Sequence, residues 1–190
     1  KLFAQNPTKR AGAVNWSCHL EDNISIFESL IRTVSESMKI SDLLNAQNII
    51  PSLKAESKDD ALRQMVDALQ RSVGFDISEK AYHAVMEREN IMSTGVGKGL
   101  AIPHGRVNGI TTNYAAFSCL NEPIDYGSID GKEVSMIFML VGPETQNSLH
   151  IKLLSRISRL MNNDEFRESL KSATTAEQML DLFVNEENKS

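Results

Sequence analysis

The sequence predicts an α/β layered fold, a small sheet bracketed by helices. Three observations point there. Apolar residues recur at helical spacing in several segments, most clearly Leu62, Met65, Val66 and Leu69, and Leu149, Leu153, Leu154, Ile157, Leu160 and Met161. Between such segments lie apolar runs of strand length, and the run from Val134 to Val141 is nearly continuous, as a strand covered on both faces requires. Gly and Pro stand at the junctions, notably Gly74, Asp130-Gly131 and Gly142-Pro143.

The regular pattern begins near Ile40. Ser41-Asp42-Leu43-Leu44 reads as a short capped turn. Asn48 to Leu53 reads as an edge strand, because Pro51 would remove a ladder donor from a central one. Ser57 with Asp60 three residues on resembles a capping box and opens a helix that Gly74 ends. Ser78 is expected to cap a second helix running to about Glu89. Residues 93–99 (Ser-Thr-Gly-Val-Gly-Lys-Gly) form a glycine-rich loop, and Leu100 to His104 a short strand. Tyr114 to Leu120 is a further strand. After the Val134–Val141 strand a long amphipathic helix starts near Asn147. Two more helices follow, around Asp164–Leu170 and Ala176–Val184.

Residues 1–38 stand apart, as an N-terminal extension or linker ahead of a domain over 39–190. They open on Asn6-Pro7, Lys9-Arg10 and Gly12 without a sustained period; then Ile24, Phe27, Leu30, Ile31 and Val34 fall at the spacing of one amphipathic helix. The chain opens on Lys1 rather than Met, as a piece of a longer protein would. Terminal segments contribute little to stability unless docked. A chain starting at Met38 is therefore expected to melt cooperatively within a few degrees of the full one. About 2–4 °C corresponds to 1 kcal/mol at this size. A much larger loss in the melting curve would mean that the Ile24–Val34 stripe packs on the domain.

Composition narrows the function. A net charge of −5 argues against nucleic-acid binding, which needs a basic stripe to displace counterions. The cysteines Cys18 and Cys119 are far apart in sequence, so neither a metal knuckle nor a disulfide framework is expected. The longest unbroken apolar run, Met136–Val141, is too short for a bilayer, which takes about 20 residues. No cleavable signal pattern opens the chain, and a cytoplasmic location without membrane insertion is expected. Gly95-Val96-Gly97-Lys98-Gly99 lacks the spacing of a nucleotide loop and leads into a strand rather than a helix. No metal-ligand spacing is present, and no metal or cofactor is expected.

Histidines are the remaining candidates. His19 and His83 read as incidental surface residues. His104 follows Pro103 and precedes Gly105-Arg106, so it should end a strand with its ring presented rather than packed. His150 falls in the first turn of the long helix, where free N–H groups suit an anion.

Ser93 to Arg106, with the run Ala101-Ile102-Pro103-His104, resembles the signature of the mannitol/fructose-type enzyme IIA domains of the bacterial phosphotransferase system, a family that includes the nitrogen-regulatory enzyme IIA branch. Glu87-Arg88-Glu89 is similar to the helix-end arginine motif that precedes this signature. Leu149 to Ser158 is similar to the second histidine and its helix. The resemblance covers about residues 40–186. It implies a mixed sheet flanked by helices on both faces, with the active histidine at one end. It further implies that His104 takes a phosphoryl group from the phosphohistidine of HPr or an HPr-like carrier, assisted by Arg88 and His150. Thr94, Gly95, Gly97 and Gly105 would bind the phosphoryl group or form the partner's rim. The acceptor would be a IIB domain or a regulated protein. Three roles stay open: sugar uptake, regulation through the phosphorylation state, and a non-catalytic sensor module attached to a transporter or transcription regulator. With no IIB-like cysteine loop or membrane segment visible, the expectation leans to regulation or sensing. Val96, Leu100, Ile102 and the Leu149–Leu154 turn are the expected docking rim.

Overall fold

Pro51 sits where its missing N–H does least harm: β1 (Ile49–Leu53) is an edge strand, paired parallel to β5 (Tyr114–Ile124). The computed structural model, which describes residues 38–189, places β1 in a six-stranded mixed sheet. Next to β5 lies β6 (Val134–Pro143), antiparallel to it, then β3 (Leu100–Ala101) and the other edge, β2 (Gly95–Gly97). A sixth strand, β4 (His104–Val107), also pairs parallel to β6. Of the expected extension over 1–38, residues 1–37 lie outside the described residues, and with them the Ile24–Val34 stripe, Cys18 and His19.

Central strand β6 is the near-continuous apolar run, and both faces are covered. Ile137, Met139 and Val141 turn to one face, under α1 (Lys58–Gln70) and α2 (Ser78–Ile91), where Leu62, Met65, Leu69 and Val85 are buried. The opposite face carries α3 (Asn147–Met161), α4 (Asp164–Ser172) and α5 (Ala176–Lys189). There Phe183 meets Phe117, Phe138 and Phe166 with ring centroids 5.0–5.8 Å apart, all edge-on. The Glu187 carboxylate accepts from the N–H groups of Ile40 (2.6 Å) and Ser41 (2.9 Å), tying the end of α5 to the start of the domain.

Three expectations need correction. Ser78 does not cap α2; it is the first helical residue. Its N–H goes to Asp76 Oδ1 (3.0 Å), while Gln70 Oε1 accepts from Ile77 N–H (2.8 Å), so the preceding loop satisfies the helix start. Residues 93–99 are not only loop, because Gly95–Gly97 forms β2 and closes a tight antiparallel pair with β3. Leu100–His104 is not one strand. It breaks at Ile102-Pro103, and β3 and β4 then pair with successive stretches of β6, Leu100 opposite Met136 and His104 opposite Leu140. The Ser57 cap holds, its hydroxyl accepting from Asp60 N–H at 3.2 Å.

Candidate active site

The break at Ile102-Pro103 positions His104. Ile102 donates its N–H to Thr94 O (2.9 Å), and Pro103 O accepts from Leu140 N–H (3.0 Å), so both flanks of the break are fixed. His104 therefore begins β4 instead of ending a strand, and its ring is half-buried rather than freely presented. Gly105 makes the close approach to α2 possible: a Cβ there would lie 2.8 Å from Ala84 C and Val85 N. This contact brings the last turn of α2, with Arg88, alongside His104.

The His104 ring is oriented by its own backbone. Nδ1 lies 2.8 Å from Ile102 O, and a carbonyl can only accept, so Nδ1 bears the proton and Nε2 keeps its lone pair. Burial lowers the imidazole pKa below its usual value. The Ile102 hydrogen bond acts the other way, and the Arg88 and Arg106 charges reinforce the lowering. At neutral pH the ring is uncharged, with a lone pair on Nε2.

His150 stands 6.0 Å from His104, centroid to centroid, and is 4% exposed. Its Nδ1 lies 3.3 Å from Asn113 Oδ1, while Nε2 is buried with no hydrogen-bond partner among the described residues. Burial first, then the His104 and Arg106 charges, push its pKa down to about 4. It occupies the first turn of α3, whose start has no side-chain cap and no acidic residue, which leaves the helix dipole available to an anion. Arg88 donates from Nη1 to Met92 O (2.9 Å). Arg106 donates to Asn147 Oδ1.

His104, Gly105, Arg106, Arg88 and His150 all line one cleft of about 730 Å³ between α2 and α3, together with Glu87, Glu144 and Asn147. Thr94, Gly95 and Gly97 do not line it. Thr94 is buried against Glu89, donating to its carboxylate from both N–H and hydroxyl. Glu89 in turn pairs with Lys58 at 2.5 Å. Gly95 packs on Ser128 and Gly97 on Asp130. Thr94 thus holds the segment whose carbonyl fixes Ile102, one step behind the histidine. Of the expected rim, Leu100 and Ile102 are buried core residues and so cannot meet a partner, and Leu149 is only half-buried. Ile151, 66% exposed in the expected Leu149–Leu154 turn, does line the cleft, as does Ile91 at 80%; Val96 is exposed but lies outside it. His83 is exposed on α2, 3.7 Å from Glu79.

Arg106 and Asn113 were missed by the sequence reading. Arg106 had a legible signal: two residues beyond His104 in a strand, it shares that face. Asn113 had none, since only the fold brings it to His150.

The buried, neutral His150 makes stability pH-dependent. Its folded pKa lies below the unfolded value of about 6.5, so the unfolded chain binds the extra proton. Stability should be full above pH 6.5 and fall by about 3 kcal/mol as pH drops toward 4. Urea midpoints across that window should show the loss, and His150→Gln should flatten most of it. An unchanged slope in that variant would place the titrating group elsewhere.

Residues 42–186 match the family model of the phosphoenolpyruvate-dependent sugar phosphotransferase system, EIIA 2. A nitrogen regulatory protein of Bradyrhizobium diazoefficiens is 33% identical over 147 residues, 77% of this chain and 95% of that one. The fructose-specific EIIABC component of Bacillus subtilis is 30% identical over 152 residues, 80% of this chain and 24% of that longer protein. The crystal structure of nitrogen regulatory protein IIA-Ntr from Neisseria meningitidis superposes with a TM-score of 0.71 at 30% identity, covering 76% of this chain and 98% of that one. With the sheet, the flanking helices and the two-histidine cleft in place, the chain belongs to the EIIA 2 family of the phosphotransferase system.

Proposed function

We propose that this chain is a phosphocarrier whose His104 Nε2 accepts a phosphoryl group from the phosphohistidine of HPr or an HPr-like carrier. The observation that carries the reading is the Nδ1–Ile102 O hydrogen bond, which leaves Nε2 of a neutral ring facing a cleft lined by two arginines. The new Nε2–P bond forms as the donor's N–P bond breaks, and the departing donor nitrogen regains its lone pair. Such transfer passes through a loose transition state, so the protein chiefly aligns the rings and stabilises charge on the equatorial oxygens. Arg88 and Arg106 supply guanidinium donors to those oxygens, the start of α3 adds its dipole, and His150 offers a ring nitrogen. Ile91 and Ile151 give a docking partner apolar surface beside the cleft. A donor carrier of this kind is cytoplasmic, and the reading places the chain there, with residues 39–190 as the carrier domain.

The acceptor is a regulated protein or the cysteine of a IIB domain. The regulatory role has support in identities of 33% and 30% to two nitrogen regulatory proteins over nearly their full length. Incubation with phosphorylated HPr should add about 80 Da, the mass of one phosphoryl group replacing a proton, in an acid-labile, base-stable bond. Transfer should slow as salt rises, because small transient contacts are electrostatically steered. Absence of any adduct under these conditions would contradict the proposal.

A further inference from the structure

Two buried polar atoms around the candidate site have no partner among the described residues, Nε2 of His150 and Nδ2 of Asn113, and they belong to one hydrogen-bonded pair. Asn113 is 3% exposed and lies just before β5; His150 is 4% exposed on α3. Gly142 of β6 leaves room for the pair. A Cβ there would strike Asn113 Oδ1 and come within 2.6 Å of His150 Nδ1. Leaving two such atoms unpaired costs about 1–3 kcal/mol each, so the arrangement calls for a use.

The amide has two positions, and each dictates a tautomer. With Oδ1 toward the ring, His150 Nδ1 must bear the proton and Nε2 holds a lone pair. Turned over by half a rotation, the amide donates from Nδ2 to Nδ1, and the proton sits on Nε2 instead. A phosphoryl group at pH 7 has only acceptor oxygens. Just one of the two positions therefore lets a neutral His150 donate to it.

We infer that Asn113 is a positioning residue that sets which nitrogen of His150 bears the proton, and that its amide turns over when His104 is phosphorylated. The second half rests on the phosphocarrier reading; the first does not. The proton lost from Nδ1 is balanced by one gained at Nε2, with no net uptake.

The test is long-range proton–nitrogen NMR of the His150 ring in the full chain at pH 7. The unphosphorylated chain should show a single tautomer with the proton on Nδ1, and Asn113→Leu should show a mixture. Asn113→Asp, which offers only acceptors, should keep Nδ1 protonated and serves if the Leu variant does not fold. Identical tautomer populations in wild type and Asn113→Leu, or an unprotonated Nδ1 in Asn113→Asp, would overturn the inference whether or not the chain carries phosphate. After treatment with phosphorylated HPr, the wild-type proton should be on Nε2; finding it still on Nδ1 in the phosphorylated chain would overturn the turning-over. Phosphoryl uptake should fall on the order of 10-fold in Asn113→Leu, the scale of a lost orienting partner. In a His150→Ala background the same change should have no effect, and an equal loss there would show that Asn113 does not act through His150. If no variant, wild type included, takes up phosphate, the phosphocarrier reading fails with the turning-over, while the unphosphorylated spectra still decide the first half.

Discussion

His104→Ala is expected to leave the chain unable to take up a phosphoryl group from phosphorylated HPr at any measurable rate. The other described histidines offer no substitute. His150 Nε2 is buried, and His83 lies exposed on α2 beside Glu79, outside the cleft. Without a nucleophile the arginines and the helix start can bind phosphate but cannot form a bond to it. The ring is half-buried at the start of a strand, so the variant should fold, which circular dichroism would verify. Mass spectrometry after incubation is the readout, and an adduct persisting in His104→Ala would move the acceptor to another residue.

Arg88→Ala and His150→Ala should each slow single-turnover uptake on the order of 10²–10³-fold without ending it, about 3–4 kcal/mol of transition-state stabilisation. Arg88 lines the cleft and is held by its Nη1 bond to Met92 O, so it has less side-chain freedom to lose when the donor arrives. Arg88→Lys keeps the charge but loses the planar fork and should fall between wild type and Arg88→Ala. His150→Gln keeps a donor in the first turn of α3 and should be milder than His150→Ala. Arg106 lines the same cleft, so it could partly cover for Arg88; the double variant should lose more than either single one. Wild-type rates in both Arg88→Ala and His150→Ala would mean that these residues serve the structure and His104 works alone.

Much of this was legible in the sequence where the signal is local. The helical stripes, the Ser57 cap, the Pro51 edge strand and the apolar run of β6 each follow from spacing or from one residue's chemistry. His104 and Arg88 stand out in the sequence through their motif, and the cleft brings them together with His150. What escaped depends on partners far along the chain. The 93–99 segment reads as loop because its glycines dominate, yet β2 and β3 pair across two residues. The break at Ile102-Pro103 is invisible until β6 is there to receive both halves. Thr94 looked like a phosphoryl ligand, but a buried carboxylate, Glu89, takes its hydrogen bonds. Burial raises the Glu89 pKa, and the Lys58 and Thr94 hydrogen bonds outweigh it, so the group stays ionised and holds Thr94 firmly. A glutamate at a helix end gives no hint of that role.

Nε2 of His104 is expected to accept the phosphoryl group because Nδ1 is occupied by the Ile102 carbonyl. Phosphorus–nitrogen NMR on the chain, labelled with ¹⁵N in histidine and phosphorylated by HPr, tests it most directly. Phosphorus is expected to couple to Nε2 of His104, with Nδ1 still protonated and hydrogen-bonded. Phosphorus coupled to Nδ1, or to any ring other than His104, would contradict it.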